Sequence, residues 1–460
     1  MGMITDCFLF LISLSIPTLV GKMFLDKVTQ GRRHFFFWEG MFISFGLGWG
    51  AITLSMFYMS LARLYFDPAT IALFSLLFCL VILFLSGRRP HDLSRNDAGF
   101  KKGDSPWTPL AWVMMVLAVC AGADIFFRTM MIAIDVWDSW AVWGFKAKVY
   151  FVDRMIPFDK FSLFKTVWGN WDYPHHVPLM ETWVFLCLGY WNDWWARAIF
   201  PFFHVGLAVC LYYFFQRYSS RVISLSGAFF VLTIPHLSAM TMGTITEPVI
   251  LFYYILGFTF LLRWHETRRN MFFLLSAIFA GLAAWTKNEG VVYAIFNLML
   301  ILFMTNKMAF SKRSFYAGYY LGIIGIIIGP WWILKFNLGL KNILVNAGGV
   351  SRGFLENIFA LGPVFKALMA VPFKFEFYNI AWIMFFLFSI FNWKCRPRAF
   401  YRFFLFSILS HILLALGVYV LAPIEQYLRD PFIRLLLAPT ILSMMYVILV
   451  QGEGTDSRSA

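Results

Sequence analysis

The sequence predicts an all-α, polytopic membrane protein with about 13 transmembrane helices and a helical first large extracytoplasmic loop. Three observations carry this reading. Hydrophobic residues make up 60% of the 460 residues and charged residues only 13%, about half the roughly 25% of a soluble domain. Aromatic residues reach 20%, with 55 Phe and 19 Trp. Apolar stretches near 20 residues, the length needed to cross a bilayer, recur along the whole chain. No soluble core could hide this much apolar surface. A soluble enzyme, a disordered chain, a collagen-like rod and a disulfide scaffold are therefore excluded.

The spans are expected near 4–21, 38–61, 68–86, 107–127, 196–215, 222–240, 248–262, 271–286, 290–305, 315–336, 377–392, 403–422 and 432–450. The first has no basic segment before it and reads as a retained span rather than a signal peptide. The stretch 179–190 is apolar but too short to cross, and is expected as a re-entrant or interfacial helix. Cys7, Cys79, Cys120, Cys187, Cys210 and Cys395 show no metal spacing and read as small core residues.

The net charge, 38 − 24 = +14, speaks to topology rather than to nucleic acid, because basic residues gather in cytoplasmic loops. With the N-terminus outside, the inner loops collect Lys22, Lys27, Arg32 and Arg33, the cluster from Arg88 to Lys102, Arg217, Arg221, Arg263, Arg268, Arg269, Lys307, Lys312, Arg313 and the cluster from Lys394 to Arg402. The short outer loops keep only Arg63, Lys287 and Arg429. Two outer segments are long, 128–178 and 337–376, so chemistry is expected on the extracytoplasmic side. The chain divides into N-terminal helices (1–106), a central membrane module holding loop 128–178 (107–336), and an outer loop with C-terminal helices (337–460).

Several constellations in these outer segments could carry chemistry. Asp135 and Asp138 stand where the chain leaves the bilayer, ahead of an aromatic stretch, 140–152, that reads as an interfacial helix. Either carboxylate suits a general base; the plain alternative is a solvated aromatic belt. The loop ends in Tyr173-Pro174-His175-His176-Val177-Pro178, where the histidines could meet a phosphate oxygen or a divalent metal, or simply sit in a rigid turn. Glu247 precedes Pro248, Lys287 lies between two apolar stretches, and Arg429 and Arg434 open the last span. Ionisable residues at membrane depth are functional candidates by default, and the alternative for each is a snorkelling anchor. Together they suit an anionic lipid phosphate beside a carboxylate base.

In this order and sidedness the motifs Trp137-Asp138-Ser139-Trp140 followed by Lys146-Ala147-Lys148, the proline turn at 173–178, Thr246-Glu247-Pro248, Thr286-Lys287 and Arg434 to Pro439 resemble the C-type glycosyltransferases. These are integral membrane enzymes using polyprenyl-phosphate sugars. The branch most similar is that of protein O-mannosyltransferases and lipid A aminoarabinose transferases. The resemblance covers roughly 107–450. It departs in its paired histidines and in a Glu, not an Asp, at 247.

The resemblance implies a single inverting displacement at the sugar's anomeric carbon. Asp138 would be the base, Asp135 its runner-up, and Glu247 the second acidic residue. Lys287 and Arg434 would lie near the carrier phosphate, with Arg429, His175 and His176 as further candidates. A divalent metal would be held by His176 and Glu247 if one is used. The implied partners are a polyprenyl-phosphate sugar, undecaprenyl phosphate in a bacterial inner membrane, and a lipid, glycan or protein acceptor. Two other classes fit the composition: a transporter or flippase of a lipid-linked or anionic substrate, and an O-antigen ligase or polymerase. A transporter would place its ionisable residues at mid-membrane on broken helices. The ligase type would carry His in a late outer loop, and segment 337–376 has none.

Overall fold

A computed structural model describes residues 2–85, 106–161, 169–340, 361–391, 399–421 and 430–456, and all regular structure among them is helical. The helices are α1 (Met3–Val28), α2 (Phe37–Leu61), α3 (Pro68–Leu85), α4 (Pro109–Met131), α5 (Phe145–Asp153), α6 (His176–Leu188), α7 (Ile199–Phe215), α8 (Arg221–Leu232), α9 (Pro235–Met242), α10 (Glu247–Thr267), α11 (Asn270–Thr286), α12 (Glu289–Met304), α13 (Phe310–Asn337), α14 (Leu361–Ala370), α15 (Ala381–Phe391), α16 (Ala399–Leu421) and α17 (Leu437–Asp456). A π-helical segment, Asp138–Gly144, leads into α5, so the described part of the first large loop carries helix, as expected.

The expected span count is not met. Among the described residues, seven helices are long and apolar enough to cross a membrane. A bent pair, α8 and α9, makes an eighth if it counts as one span. The excess arose because windowed hydrophobicity does not separate a crossing helix from a shorter one packed inside the protein. Helices α11 and α12 hold 17 and 16 residues. At about 1.5 Å per residue both fall short of a hydrocarbon core about 30 Å thick. The break between α8 and α9 has a local cause. Pro235 has no N–H to continue the ladder and disfavours a helical residue before it, and the two pieces meet at 53°.

Burial sorts the spans into centre and rim. Of the apolar window, 94% is buried in α10 and 83% in α2, but only 17% in α4 and 22% in α13. The exposed side chains on α4 include Val113, Val116 and Val119, apolar groups that lipid can solvate. Cys7 and Cys120 belong to this exposed surface, not to the core as expected, whereas Cys79 and Cys210 are buried. Helices α1 and α2 cross where both are glycine. A Cβ on Gly21 would strike the carbonyl of Ser44, and one on Gly48 that of Pro17. Small residues let two apolar helices approach closely enough for dispersion to hold them.

Two ends of the bundle collect the charges. At one end Glu39, at the start of α2, accepts from Arg217 beyond α7 and lies 3.6 Å from Arg263 near the end of α10, while Arg269 meets His34. These are residues of the basic loops. At the other end, α10, α12 and α17 begin and α11 and α13 finish.

The stretch 179–190 forms part of α6, whose residues are buried with the exception of Cys187. It is an internal helix rather than an interfacial one. Trp183 on it donates to the Ser13 carbonyl, 2.9 Å away, and Tyr253 on α10 donates to Gly46 at 2.8 Å.

Candidate functional site

The second end holds a chain of ion pairs built from four distant parts of the sequence. Asp138 opens the π-helical segment, and its Oδ2 accepts from Arg434 Nη1 at 2.7 Å. The same Nη1 lies 3.9 Å from Oε1 of Glu247. Glu247, in the first turn of α10, accepts from Lys287 Nζ at 3.1 Å, and that ammonium is also 3.1 Å from Glu289 Oε1. Both glutamates stand at helix starts, where the exposed N–H groups favour negative charge. Lys287 follows the last residue of α11. Burial opposes its charge, but the fields of Glu247 and Glu289 outweigh burial and hold its ammonium well above the usual lysine range.

The exposure of these groups is graded. The side chains of Glu247 and Lys287 are 5% and 13% exposed, those of Arg434 and Asp138 16% and 34%. Asp138 is therefore the open end of the chain. Its carboxylate is held by Arg434. Asp135 is exposed, three residues back. Arg429 lies outside the described residues, as do Lys341, Gly348, Gly349, Arg352 and Glu356 of the second outer segment.

A second polar patch joins the first through adjacent residues. Asn288, next to Lys287, donates to Asp172 Oδ2 at 3.1 Å, and Lys335 near the end of α13 approaches the same oxygen at 3.4 Å. Lys146 on α5 is completely buried and donates to the Asn170 carbonyl at 2.7 Å. Its Nζ sits 5.3 and 5.5 Å from the ring centres of Trp143 and Trp171. The stretch 140–152 was expected to lie in the membrane interface; α5 instead buries Lys146, Ala147 and Tyr150 inward. Between the two patches stands Tyr173. Burial first, and then the field of Glu289, push its hydroxyl up, with Lys287 opposing and Asp172 and Asp138 adding to the rise.

The histidines are elsewhere in character. His175 meets the Tyr150 hydroxyl through Nδ1 at 2.8 Å and packs edge-on against Trp331 at 4.3 Å. His176 uses both ring nitrogens, on Thr53 at 2.7 Å and Tyr253 at 3.2 Å. Burial pushes His175 well below the usual imidazole range and His176 down to about 3. Both are neutral, fully buried and ringed by aromatic groups, so neither presents a charge to a phosphate. His176 and Glu247, named as a possible metal pair, have these other partners. Among the described residues no group of three or more His, Cys, Asp or Glu is placed to hold a metal ion.

The structure thus brings together Asp138, Glu247, Lys287 and Arg434, and leaves Asp135, His175 and His176 out. It adds Asp172, Glu289 and Lys335, which sequence reasoning did not single out, and Lys146 and Tyr173, which it named only as members of motifs. For Lys146 and Lys335 a signal existed: each is a lysine set among aromatic residues, where an unpaired charge would be costly.

Lys146 carries a testable pH signature. Burial lowers its pKa to about 7, with Asp172 opposing, whereas the unfolded side chain titrates near 10.5. Between these values the unfolded chain binds more protons, so this group makes folding stability rise with pH from about 7 to 10.5 and decline as pH is lowered again. The slope is at most about 1.4 kcal/mol per pH unit. Thermal unfolding in detergent micelles is expected to show a shallower pH dependence in Lys146→Met than in the parent over this window. Equal slopes would mean that Lys146 is charged in the folded protein.

No family model matches the chain, and no curated protein matches it.

Proposed function

We propose that this multi-pass membrane protein is a glycosyltransferase that moves a sugar from a polyprenyl-phosphate donor to an extracytoplasmic acceptor with inversion. The observation that supports the reading best is the convergence of Asp138, Arg434, Glu247 and Lys287. Asp138 and Arg434 are 296 residues apart in sequence, yet share a 2.7 Å hydrogen bond. The four are the positions a C-type glycosyltransferase would use, and they meet at the end of the bundle away from the basic loops. By the positive-inside rule that end faces outward; a cysteine placed at Lys160 is expected to react with an impermeant reagent from outside intact cells, and one at Lys312 is not.

In this reading the acceptor oxygen attacks the anomeric carbon as the bond from that carbon to the phosphate oxygen breaks. The acceptor proton passes to Asp138, and polyprenyl phosphate leaves with the electron pair. Arg434 and Lys287 meet the charge that grows on the phosphate. Arg434 gives the site a coupling device. It holds Asp138, and a donor phosphate competing for the guanidinium would free the carboxylate oxygen to take the proton. Donor binding thereby arms the base.

The test is mass spectrometry of lipid co-purified in mild detergent. A polyprenyl phosphate or its sugar ester is expected with the parent protein, and a loss of more than half of it in Lys287→Ala and Arg434→Ala. A different anionic lipid, bound equally by parent and variants, would remove the donor site and favour a transporter.

A further inference from the structure

Beside the ion-pair chain, on the other side of the π-helical turn, lies a cavity of about 740 Å³. That is within the ~300–1,000 Å³ range of small-molecule sites. Its wall is shared with the proposed base: Trp137 and Ser139, the neighbours of Asp138, both line it, as does Trp140. On the far side are Trp191, Asp193 and Arg197, and α6 contributes Glu181. Beneath it, Ala147, Phe185 and Ala196 form a small apolar cluster separate from the main core.

Glu181 is the anomaly. Its residue is 7% exposed and its Oε2 has no hydrogen-bond partner among the described residues. Nε of Arg197, buried in the same wall, is also without one. Orphaned buried polar atoms cost about 1–3 kcal/mol each, and a ligand hydroxyl seated in the cavity that Glu181 lines would give its carboxyl a partner. Burial, helped by Asp193, pushes the Glu181 carboxyl well above the usual carboxylate range, so it stands ready as an O–H donor. Lys148 is parked over the Trp191 ring, its Nζ 3.7 Å from the centroid, and Asp193 accepts from the Trp191 indole at 2.6 Å.

The wall chemistry narrows the occupant. The charged groups of the wall are already engaged, Lys148 and Asp193 by Trp191 and Arg197 by the carbonyls of Thr129 and Ile132, which leaves the Glu181 carboxyl to meet an uncharged hydroxyl. A bare hydrocarbon chain would leave the Glu181 carboxyl unsatisfied. A neutral ring with apolar faces and hydroxyl edges satisfies it. Trp137 and Trp140 pack edge-to-face on one another, ring centres 4.6 Å apart at 71°, and both are about half exposed, so each keeps apolar indole surface for a ring to lie on. A membrane-interface belt would explain exposed tryptophans, but not a carboxyl orphaned inside the cavity they border.

We propose that this cavity binds a neutral sugar ring, its C–H faces on Trp137 and Trp140 and a hydroxyl on Glu181. The role as an acceptor subsite, one residue from the base, rests on the transferase reading; the binding itself does not. The acceptor is then a glycan or glycolipid.

The test is saturation-transfer NMR on the protein in nanodiscs, with methyl glycosides of glucose, mannose, galactose and N-acetylglucosamine as probes. At least one is expected to bind, and Glu181→Leu and Trp140→Ala are each expected to weaken it at least tenfold. Glu181→Leu should also keep or raise the thermal midpoint, because it removes a buried group that has no partner. Absence of glycoside binding, displacement of the glycoside by farnesol, indifference to both substitutions, or a lowered midpoint in Glu181→Leu would each overturn the assignment. Since binding is read without turnover, a protein that binds glycoside but never transfers sugar would overturn the transferase reading alone.

Discussion

Asp138→Asn is expected to lower sugar transfer by about 10²–10⁴-fold, the usual loss on removing a positioned base. The amide oxygen of Asn can still accept from Arg434, so the 2.7 Å contact that organises this end of the bundle is kept while proton acceptance is lost. Expression, thermal midpoint and co-purified lipid should therefore match the parent. Asp135→Asn should transfer normally, since Asp135 is exposed and outside the chain of ion pairs. A radiolabelled-sugar transfer assay in proteoliposomes decides between outcomes. Near-normal transfer by Asp138→Asn with a dead Asp135→Asn would move the base three residues back. Normal transfer by both would remove the carboxylate base from this loop.

At the opposite end, Glu39→Ala should cost about 3–5 kcal/mol of stability, the range for breaking a buried ion pair from one side. Glu39 and Arg263 have side chains 5% and 9% exposed, and Arg217 10%. The carboxylate receives hydrogen bonds from Arg217 at 2.8 and 2.9 Å and from the Phe36 N–H at 3.1 Å. Arg263 is wedged 3.9 Å from the Phe272 ring. Truncation leaves two guanidinium groups facing one another without the charge between them. The effect should appear as a large fall in thermal midpoint, with transfer by the folded fraction unchanged because this cluster is at the far end from Asp138. A stability within about 1 kcal/mol of the parent would mean that water reaches Arg217 and Arg263 when Glu39 is gone.

Composition and local pattern alone were enough for the all-helical membrane character, since 60% hydrophobic residues leave no soluble alternative. They were also enough to put Glu247 ahead of an apolar span, because a carboxylate before or within a first turn is a local preference. The positions of Asp138, Lys287 and Arg434 could be singled out as charges that an apolar chain would keep only for a reason. Span number, ion pairing and histidine burial belonged to the tertiary structure. A 17-residue helix such as α11 has the hydrophobicity of a membrane span, and only its length against the bilayer and its packing inside the protein set it apart. Arg434 finds Asp138 across 296 residues, and Lys335 finds Asp172 across 163, separations at which no local rule acts. His175 and His176 are polar in the sequence and neutral in the core because the aromatic groups around them come from other helices, Trp331 on α13 and Tyr253 on α10. What a residue carries is written locally; which charge it meets, and whether water reaches it, is settled when distant helices close around it.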